Sequence, residues 1–230
     1  MSLAKNRCLF CGKPASTRDH IPSKCLLEKP YPLNIFTIPS CEKCNKSFSL
    51  DEEYFINVLV EISTNPALLS KKDVNGSVYR ARQRSIKLKK RIESSLLTGN
   101  DGRIYIKPEY ERIEKIIEKN ALGLYYRKYK LVLRLKDFRC SGIFPADIFN
   151  HQPTEIYLLT LGDKSFMPRK WTIIQDGVFS YVITKDFRRN NKAIMIFNIH
   201  NTIWTVIDIP YPNYRIRKAK INKGQMELFN

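Results

Sequence analysis

Cys8-Leu-Phe-Cys11 and Cys41-Glu-Lys-Cys44 enclose a segment that contains Arg18-Asp19-His20-Ile21-Pro22 and Asn34, and Asn45 follows directly. Each Cys-x-x-Cys pair offers two thiolates, and two such pairs supply the four sulfur ligands of a tetrahedral zinc site. A filled ligand shell leaves no open position for a substrate. The spacing therefore predicts a structural zinc held by Cys8, Cys11, Cys41 and Cys44.

An Asp-His dipeptide lies between the two cysteine pairs and offers a different chemistry. The carboxylate of Asp19 can hold a hard cation such as Mg²⁺. The neutral imidazole of His20 can take a proton from water near pH 7. A lone histidine is more often a core residue or a spare zinc ligand, so the dipeptide acquires a functional meaning only together with its neighbours.

The arrangement resembles the HNH endonucleases, whose catalytic core is a ββα-metal fold. The resemblance rests on the cysteine pairs, the Asp-His on a first strand, Asn34 in the connecting loop and Asn45 after the last cysteine, and it extends to about Tyr54. It implies that His20 is the general base and that Asn34 orients it. It also implies that Asp19 and Asn45 hold a catalytic Mg²⁺ or Mn²⁺. The final histidine of the family's name is an asparagine here, as in a subtype of the family.

The resemblance implies a metal-dependent endonuclease that hydrolyses phosphodiester bonds and leaves 5′-phosphate and 3′-hydroxyl ends, with DNA as the favoured substrate. Two other interpretations stay open at this point. One is a zinc-stabilised nucleic-acid-binding module without chemistry. The other is a nuclease scaffold that has lost its activity and binds a partner protein. The sequence sets neither the sequence preference of the enzyme nor its oligomeric state.

The chain is strongly basic, with 40 Lys and Arg against 22 Asp and Glu and a formal net charge of +18. Such an excess favours a polyanionic partner. Nucleic acid is preferred over a membrane, because no apolar run approaches the ~18 residues of a spanning helix. The first residues lack the apolar core of a signal peptide. We therefore expect a cytoplasmic protein whose cysteine pairs bind metal in a reducing environment.

Two cysteines lie outside the pairs. We interpret Cys25 and Cys140 as small buried hydrophobic residues. Cys25 is close enough in sequence to the zinc pairs to be an alternative ligand.

The coarse pattern predicts an α+β protein in three regions. These are a zinc-bound ββα-metal unit over 1–56, a helical, basic middle over 57–130, and an antiparallel β-rich region with a basic tail over 131–230. In the first region, strands at 17–21 and 35–38 precede a helix that begins near Cys41. A capping box at Ser49-Leu-Asp-Glu52 predicts a second helix to about Ile62. We interpret Asp51, Glu52 and Glu53 as charges that complement its N terminus, rather than as metal ligands.

Residues 77–97 carry small or apolar residues at helical spacing and predict one long helix. A second stripe on this helix consists of Arg80, Arg84, Lys87 and Arg91. Most charge runs are simply solvated, but the only acid in this one is Glu93. We therefore predict that the four cations contact the phosphates of nucleic acid.

The remaining chain predicts one more helix, over 108–122, and then a sheet. Ile113, Ile116, Ile117 and Leu124 are expected to pack on the preceding helix, and the tyrosines of 124–129 are interpreted as core. Alternating and β-branched runs predict strands at 156–161, 171–174, 178–184, 193–199 and 202–209. Turns are predicted at Asp176-Gly177 and His200-Asn201. His151 and His200 are interpreted as ordinary loop residues, and 215–223 as a basic tail.

Overall fold

The computed structural model describes residues 7–63, 65–73, 76–100, 102, 104–146, 171–185 and 192–210. Its first elements are the antiparallel strands β1 (Thr17–Ile21) and β2 (Phe36–Ser40). Helix α1 (Glu42–Ile62) begins directly after β2, with Cys41 at its N-cap. The predicted hairpin and the helix that follows it are confirmed.

Helix α1 is continuous, so the prediction of a second helix beginning at Ser49 is wrong. Residues 42–62 contain no glycine or proline that would break the helix. The Ser49 hydroxyl donates to the carbonyl of Lys46 inside the helix (2.8 Å) and does not cap a new one. The acids Asp51, Glu52 and Glu53 therefore lie in mid-helix, and their interpretation as N-terminal charges is also wrong.

The helical middle consists of α2 (Pro66–Leu69), α3 (Ser77–Arg84), α4 (Ile86–Ser95) and α5 (Tyr110–Tyr129), with a hairpin of β3 (Leu96–Thr98) and β4 (Ile104–Ile106) before α5. The single helix predicted over 77–97 is wrong, because the backbone is extended at Ser85 (φ −130°, ψ 92°). The Ser85 hydroxyl accepts a hydrogen bond from the Leu88 amide (3.2 Å) and thereby caps α4.

Helix α5 is longer than predicted, and it packs on the N-terminal hairpin and α1 as well as on the C-terminal sheet. The four residues predicted as its buried face are buried: Ile113, Ile116, Ile117 and Leu124. Its main helical neighbour is α1, not the preceding α4 as predicted. At Gly123, a β-carbon would come within 2.5 Å of Ile21 Cγ1, so glycine permits the close approach of α5 to β1. Tyr125 is buried beside Phe138, which confirms the core interpretation of this segment.

The C-terminal part is a five-stranded antiparallel sheet. Its strands are β5 (Arg139–Pro145), β6 (Thr172–Gln175), β7 (Phe179–Lys185), β8 (Lys192–Ile199) and β9 (Ile203–Pro210), in the spatial order β5-β9-β8-β7-β6. The four predicted strands from 171 onward are confirmed, and β5 was not predicted. Both predicted turns are confirmed by left-handed backbone at Gly177, His200 and Asn201. The strand predicted at 156–161, His151 and the basic tail lie outside the described residues.

One hydrophobic core joins these parts. It runs from Ile21 and Ile38 of the hairpin through Tyr54 of α1 and Ile116 of α5 to Phe197 on one face of the sheet. A smaller apolar cluster around Trp204 covers the other face. Helix α1 also runs across position 56, so the first and second predicted regions share an element. None of the helices in the described ranges is both long and apolar enough to cross a membrane.

Candidate metal centre and active site

The four cysteines of the two pairs converge beside the open end of the β1–β2 hairpin. Their sulfur atoms all lie within 4.8 Å of one another, and Cys11 Sγ is 3.7 Å from Cys41 Sγ. Zn–S bonds of about 2.3 Å in a tetrahedron place the sulfurs about 3.8 Å apart. The cluster therefore has the donor set and the size that a structural zinc requires.

Local backbone geometry builds both halves of this centre. In the first half, Gly12 adopts a left-handed conformation (φ 75°) and its amide donates to the Cys8 carbonyl (2.9 Å). The second half lies at the N terminus of α1, where backbone N–H groups favour negative charge. A hydrogen bond from the Cys44 amide is the main cause that lowers the pKa of Cys41 to about 7. A thiolate at this position is the form that binds metal.

Cys25, the alternative ligand, is not part of the four-cysteine cluster. Burial raises the pKa of its thiol. Cys140 is buried in the core, and Cys25 packs against the same core. Both cysteines have the apolar packing role that the sequence predicts.

Asp19 points from β1 into a buried polar cluster beneath the hairpin. Its Oδ1 accepts a hydrogen bond from Lys119 Nζ (2.9 Å). The same ammonium donates to Glu52 of α1 and to the Ser23 hydroxyl (3.2 Å). Lys119 is 0% exposed, so it is an entirely buried charge held between two carboxylates. Burial raises the pKa of Asp19, and the nearby Lys119 charge opposes that rise.

Lys119 and Glu52 were not identified as site residues from the sequence. The available signal was the pair Lys119-Asn120, which interrupts the apolar residues Ile117 and Ala121 on α5. Asn120 is also buried, and its Oδ1 accepts a hydrogen bond from the Ser23 amide (2.8 Å). Polar residues at buried helix positions require partners, and here the partners come from the hairpin and α1.

His20 follows Asp19 on β1 and therefore faces the other side of the strand, where it is half-buried. Partial burial and then the charges of Lys24 and Lys119 lower the pKa of its imidazole below the ordinary value. The ring is therefore neutral at pH 7 and able to accept a proton. Among the described residues, no hydrogen bond fixes the orientation of the ring.

The two asparagines of the predicted site lie in different surroundings. Asn45 projects from the first turns of α1 toward β1, where its Nδ2 donates to Thr17 Oγ1 (3.3 Å) and to the carbonyl of Arg18 (3.4 Å). It therefore lies beside the residue that precedes Asp19. Asn34 is exposed before β2, and its carbonyl accepts a hydrogen bond from Arg127 (2.9 Å). Within the described ranges, no hydrogen bond joins Asn34 to His20.

The four cations predicted to contact phosphate are divided between two helices. Arg80 and Arg84 lie on α3 and line an open cleft. Lys87 and Arg91 lie on α4, where Arg91 is paired with Glu109 (2.8 Å). The break at Ser85 separates the two pairs, so the four do not form the continuous helical stripe that the sequence predicted.

Comparison of the chain with protein-family models, curated proteins and solved structures gave no match.

Proposed function

We propose that this protein is a metal-dependent endonuclease of the HNH type, acting on DNA. The observation that carries the proposal is the association of hairpin, helix and cysteine cluster. The four-cysteine cluster adjoins the hairpin and the start of α1, and β1 carries Asp19 and His20. Asn45 on α1 reaches the backbone of that same strand. This association supports the proposal for Asp19, His20 and Asn45, which it gathers on the hairpin and the adjoining helix start.

In the proposed mechanism, His20 is the general base. Its neutral imidazole accepts a proton from the water that attacks the scissile phosphate. The lowered pKa of His20 keeps the ring in the accepting form at neutral pH. His20 is half-buried on the hairpin, so part of the residue remains exposed to solvent. Asn34 is proposed to help orient the ring when nucleic acid is bound.

Asp19 and Asn45 are proposed to hold the catalytic Mg²⁺ or Mn²⁺. Asp19 Oδ2 is a buried carboxylate oxygen that makes no hydrogen bond, although it lies 2.9 Å from the Lys119 ammonium. Asn45 uses its Nδ2 in its hydrogen bonds, and its carboxamide oxygen is the donor type that hard cations take. The single ammonium of Lys119 faces two carboxylates, those of Asp19 and Glu52, so the net charge of the cluster is negative and compatible with binding a cation. When bound, the metal would neutralise charge on the phosphate and on the leaving oxygen.

One observation favours a second candidate, a zinc-stabilised nucleic-acid-binding module without chemistry. Lys119 already serves as a counter-ion for Asp19, and a buried ion pair of this kind needs no metal. In this alternative, the four-cysteine cluster and the net charge of +18 retain their roles, and Asp19 has only a structural one.

A plasmid-nicking assay with Mg²⁺ separates the two candidates. His20→Ala should lose roughly 10²–10⁴-fold in cleavage rate, because a positioned general base typically contributes that much. The variant should keep its zinc content, its far-ultraviolet circular dichroism and its affinity for DNA. Full activity in folded His20→Ala protein, purified beside an inactive control to exclude contaminating nuclease, would overturn the proposal.

Metal titration tests the separate roles of the site residues. Asp19→Asn and Asn45→Ala should also reduce cleavage, and raised Mg²⁺ or Mn²⁺ should restore part of it, since mass action refills a weakened metal site. Added metal should not restore His20→Ala, because it cannot replace a base. Asn34→Ala should show the mildest loss. Equal rescue of the base variant and the ligand variants would contradict the assigned roles.

A further inference from the structure

An open cleft of about 580 Å³ lies beside the proposed active site. Its walls come from the loop after β1, the middle of α1, residues 70–71 and α3. A cavity of this volume is in the range of sites that hold a small organic ligand or a nucleotide unit. The loop wall belongs to the chain between β1 and β2, and the α3 wall lies outside the segment that carries the resemblance.

The cleft has more cations than acids. The cations in its walls are Lys24, Lys29, Lys71, Arg80 and Arg84, and the acids are Glu28, Glu52 and Glu53. Each acid already has a basic neighbour: Lys71 lies 2.7 Å from Glu28, Arg84 lies 3.6 Å from Glu53, and Lys119 binds Glu52. Lys24 and Lys29 are exposed, and within the described residues neither is paired with a carboxylate. The acids therefore do not cancel the positive charge of the loop wall.

An aromatic ring lies among these cations. The Nζ of Lys24 is 5.3 Å from the centroid of the Tyr31 ring, and Tyr31 is itself half-buried in the cleft wall. A ring held against the core and flanked by flexible cations is the combination with which proteins bind single-stranded nucleic acid. In this general mode of binding, an aromatic ring stacks on a base, and the cations contact the neighbouring phosphates.

The cleft is also linked to the predicted catalytic residues. Lys24 follows His20 by four residues, in the loop that leaves β1. Glu52, in the opposite wall, is bound to the same Lys119 that holds Asp19. The cleft therefore adjoins the hairpin that carries both predicted catalytic residues.

We infer that this cleft binds a single-stranded segment of the nucleic-acid substrate, with one base on Tyr31 and adjacent phosphates on Lys24 and Lys29. Arg80 supplies positive charge from the opposite wall. The inference rests on the proposed nuclease function, and it names the form in which the substrate is held next to the site of cleavage.

The test is a binding titration of fluorescein-labelled oligothymidylate, followed by anisotropy in the His20→Ala background so that no probe is cut. Lys24→Gln with Lys29→Gln should reduce the log–log salt slope by about 1.4, from two phosphate contacts at roughly 0.7 each for a single strand. The matched control is Lys107→Gln with Lys136→Gln, which removes the same charge from exposed positions outside the cleft. Equal slopes for the two double variants would overturn the inference.

The aromatic contribution is tested separately with Tyr31. Tyr31→Phe keeps the ring and should bind the probe like the parent protein, whereas Tyr31→Leu should bind roughly 10-fold more weakly. Equal affinities of the Phe and Leu variants would overturn the stacking role. Preference for a duplex of the same length, unaffected by the cleft variants, would overturn the assignment to single strands.

Cleavage by the protein with His20 intact distinguishes the two proposals. Nicking that persists while the cleft variants bind normally would remove only the cleft inference. A protein that fails to nick DNA, but whose cleft variants lose affinity as expected, would remove the nuclease proposal and leave the cleft as a nucleic-acid site.

Discussion

At the scale of single residues, Lys119 is expected to have a large effect on stability. It is fully buried, and its ammonium contacts Asp19, Glu52 and Ser23. Removing one partner of a buried ion pair leaves the other charges uncompensated, which typically lowers the free energy of unfolding by about 3–5 kcal/mol. We therefore expect Lys119→Met to lose about that much at pH 7, measured by denaturant unfolding.

The matched control for this change is Lys115→Met on the same helix. Lys115 is partly exposed and binds Asp51 (2.6 Å), which also keeps its contact with Arg112. We expect a loss below about 1 kcal/mol for this partly solvated pair. Similar losses for the two variants would show that the buried cluster has no special role.

The loss in Lys119→Met should also depend on pH. Burial already raises the pKa of Asp19, and removal of the lysine takes away the charge that opposes the rise. A raised folded-state pKa means that folding is penalised once the pH exceeds the unfolded value of about 3.9 and the carboxyl must ionise. The destabilisation should therefore be smaller near pH 5 than at pH 7. An equal loss at both pH values would contradict a charged Asp19 as its cause.

Residue-scale prediction from the sequence succeeded where the chemistry depends on local spacing. The two cysteine pairs predict a four-sulfur cluster, because each pair is a short turn with a fixed geometry. Lys119 gave little signal, because its partner Asp19 lies 100 positions away in the chain. A lysine on an apolar helix face indicates a buried partner, but the sequence alone does not say which carboxylate it meets.

At the scale of elements, the junction of α3 and α4 depends on Ser85. Its hydroxyl accepts a hydrogen bond from the Leu88 amide (3.2 Å) and satisfies one of the unpaired donors of the helix start. Ser85→Ala should lower the free energy of unfolding by about 1 kcal/mol, the usual effect of losing an N-cap. Ser94→Ala is the control, since Ser94 is exposed inside α4 and its hydroxyl donates to the backbone carbonyl of Arg91 within the same helix. An equal effect of the two changes would contradict the capping role.

The break at Ser85 also changes how the four predicted phosphate-binding cations are expected to contribute to nucleic-acid binding. Arg80 and Arg84 line the cleft, where Arg84 lies 3.6 Å from Glu53, and Arg91 lies closer to its own partner, 2.8 Å from Glu109. We expect Arg80→Gln with Arg84→Gln to lower the salt slope of oligothymidylate binding by up to about 1.4, from two phosphate contacts at roughly 0.7 each. Lys87→Gln with Arg91→Gln removes the same charge from α4 and should have a smaller effect. Unchanged slopes in both double variants would show that these helix faces are merely solvated.

Element boundaries were harder to predict than element types. The strands from 171 onward were recognisable from alternating or continuous β-branched runs, and the continuous runs belong to β8 and β9, which are buried on both faces. Ser49 lies inside a helix, whereas Ser85 caps one. Tertiary packing favours continuity of α1 at Ser49, because α5 contacts α1 on both sides of it, at Ser47 and at Glu52.

At the scale of the whole molecule, the zinc centre is connected to a core that reaches the C-terminal sheet. Leu9, between the first two cysteines, donates its amide to the Pro39 carbonyl (3.0 Å) and is buried in that core. Phe10 packs on Phe48 of α1, with ring centroids 4.8 Å apart. Below the hairpin, Ile21 contacts α5 at Gly123. Loss of the metal should therefore affect more than the cysteine turns.

We accordingly expect one tightly bound zinc per chain. Removal of the zinc by a chelator should lower the melting temperature of the entire protein in a single transition, because the hairpin, α1, α5 and the sheet share one core. Cys44→Ser should lose the metal and show the same lowered transition without any chelator. Cys25→Ala and Cys140→Ala are the matched controls, since both cysteines lie outside the four-sulfur cluster and should retain the metal. Metal content by elemental analysis and melting by circular dichroism give the two measurements. Zinc-free protein with an unchanged transition would overturn the structural role of the centre, and loss of zinc in Cys25→Ala alone would point to a different ligand set.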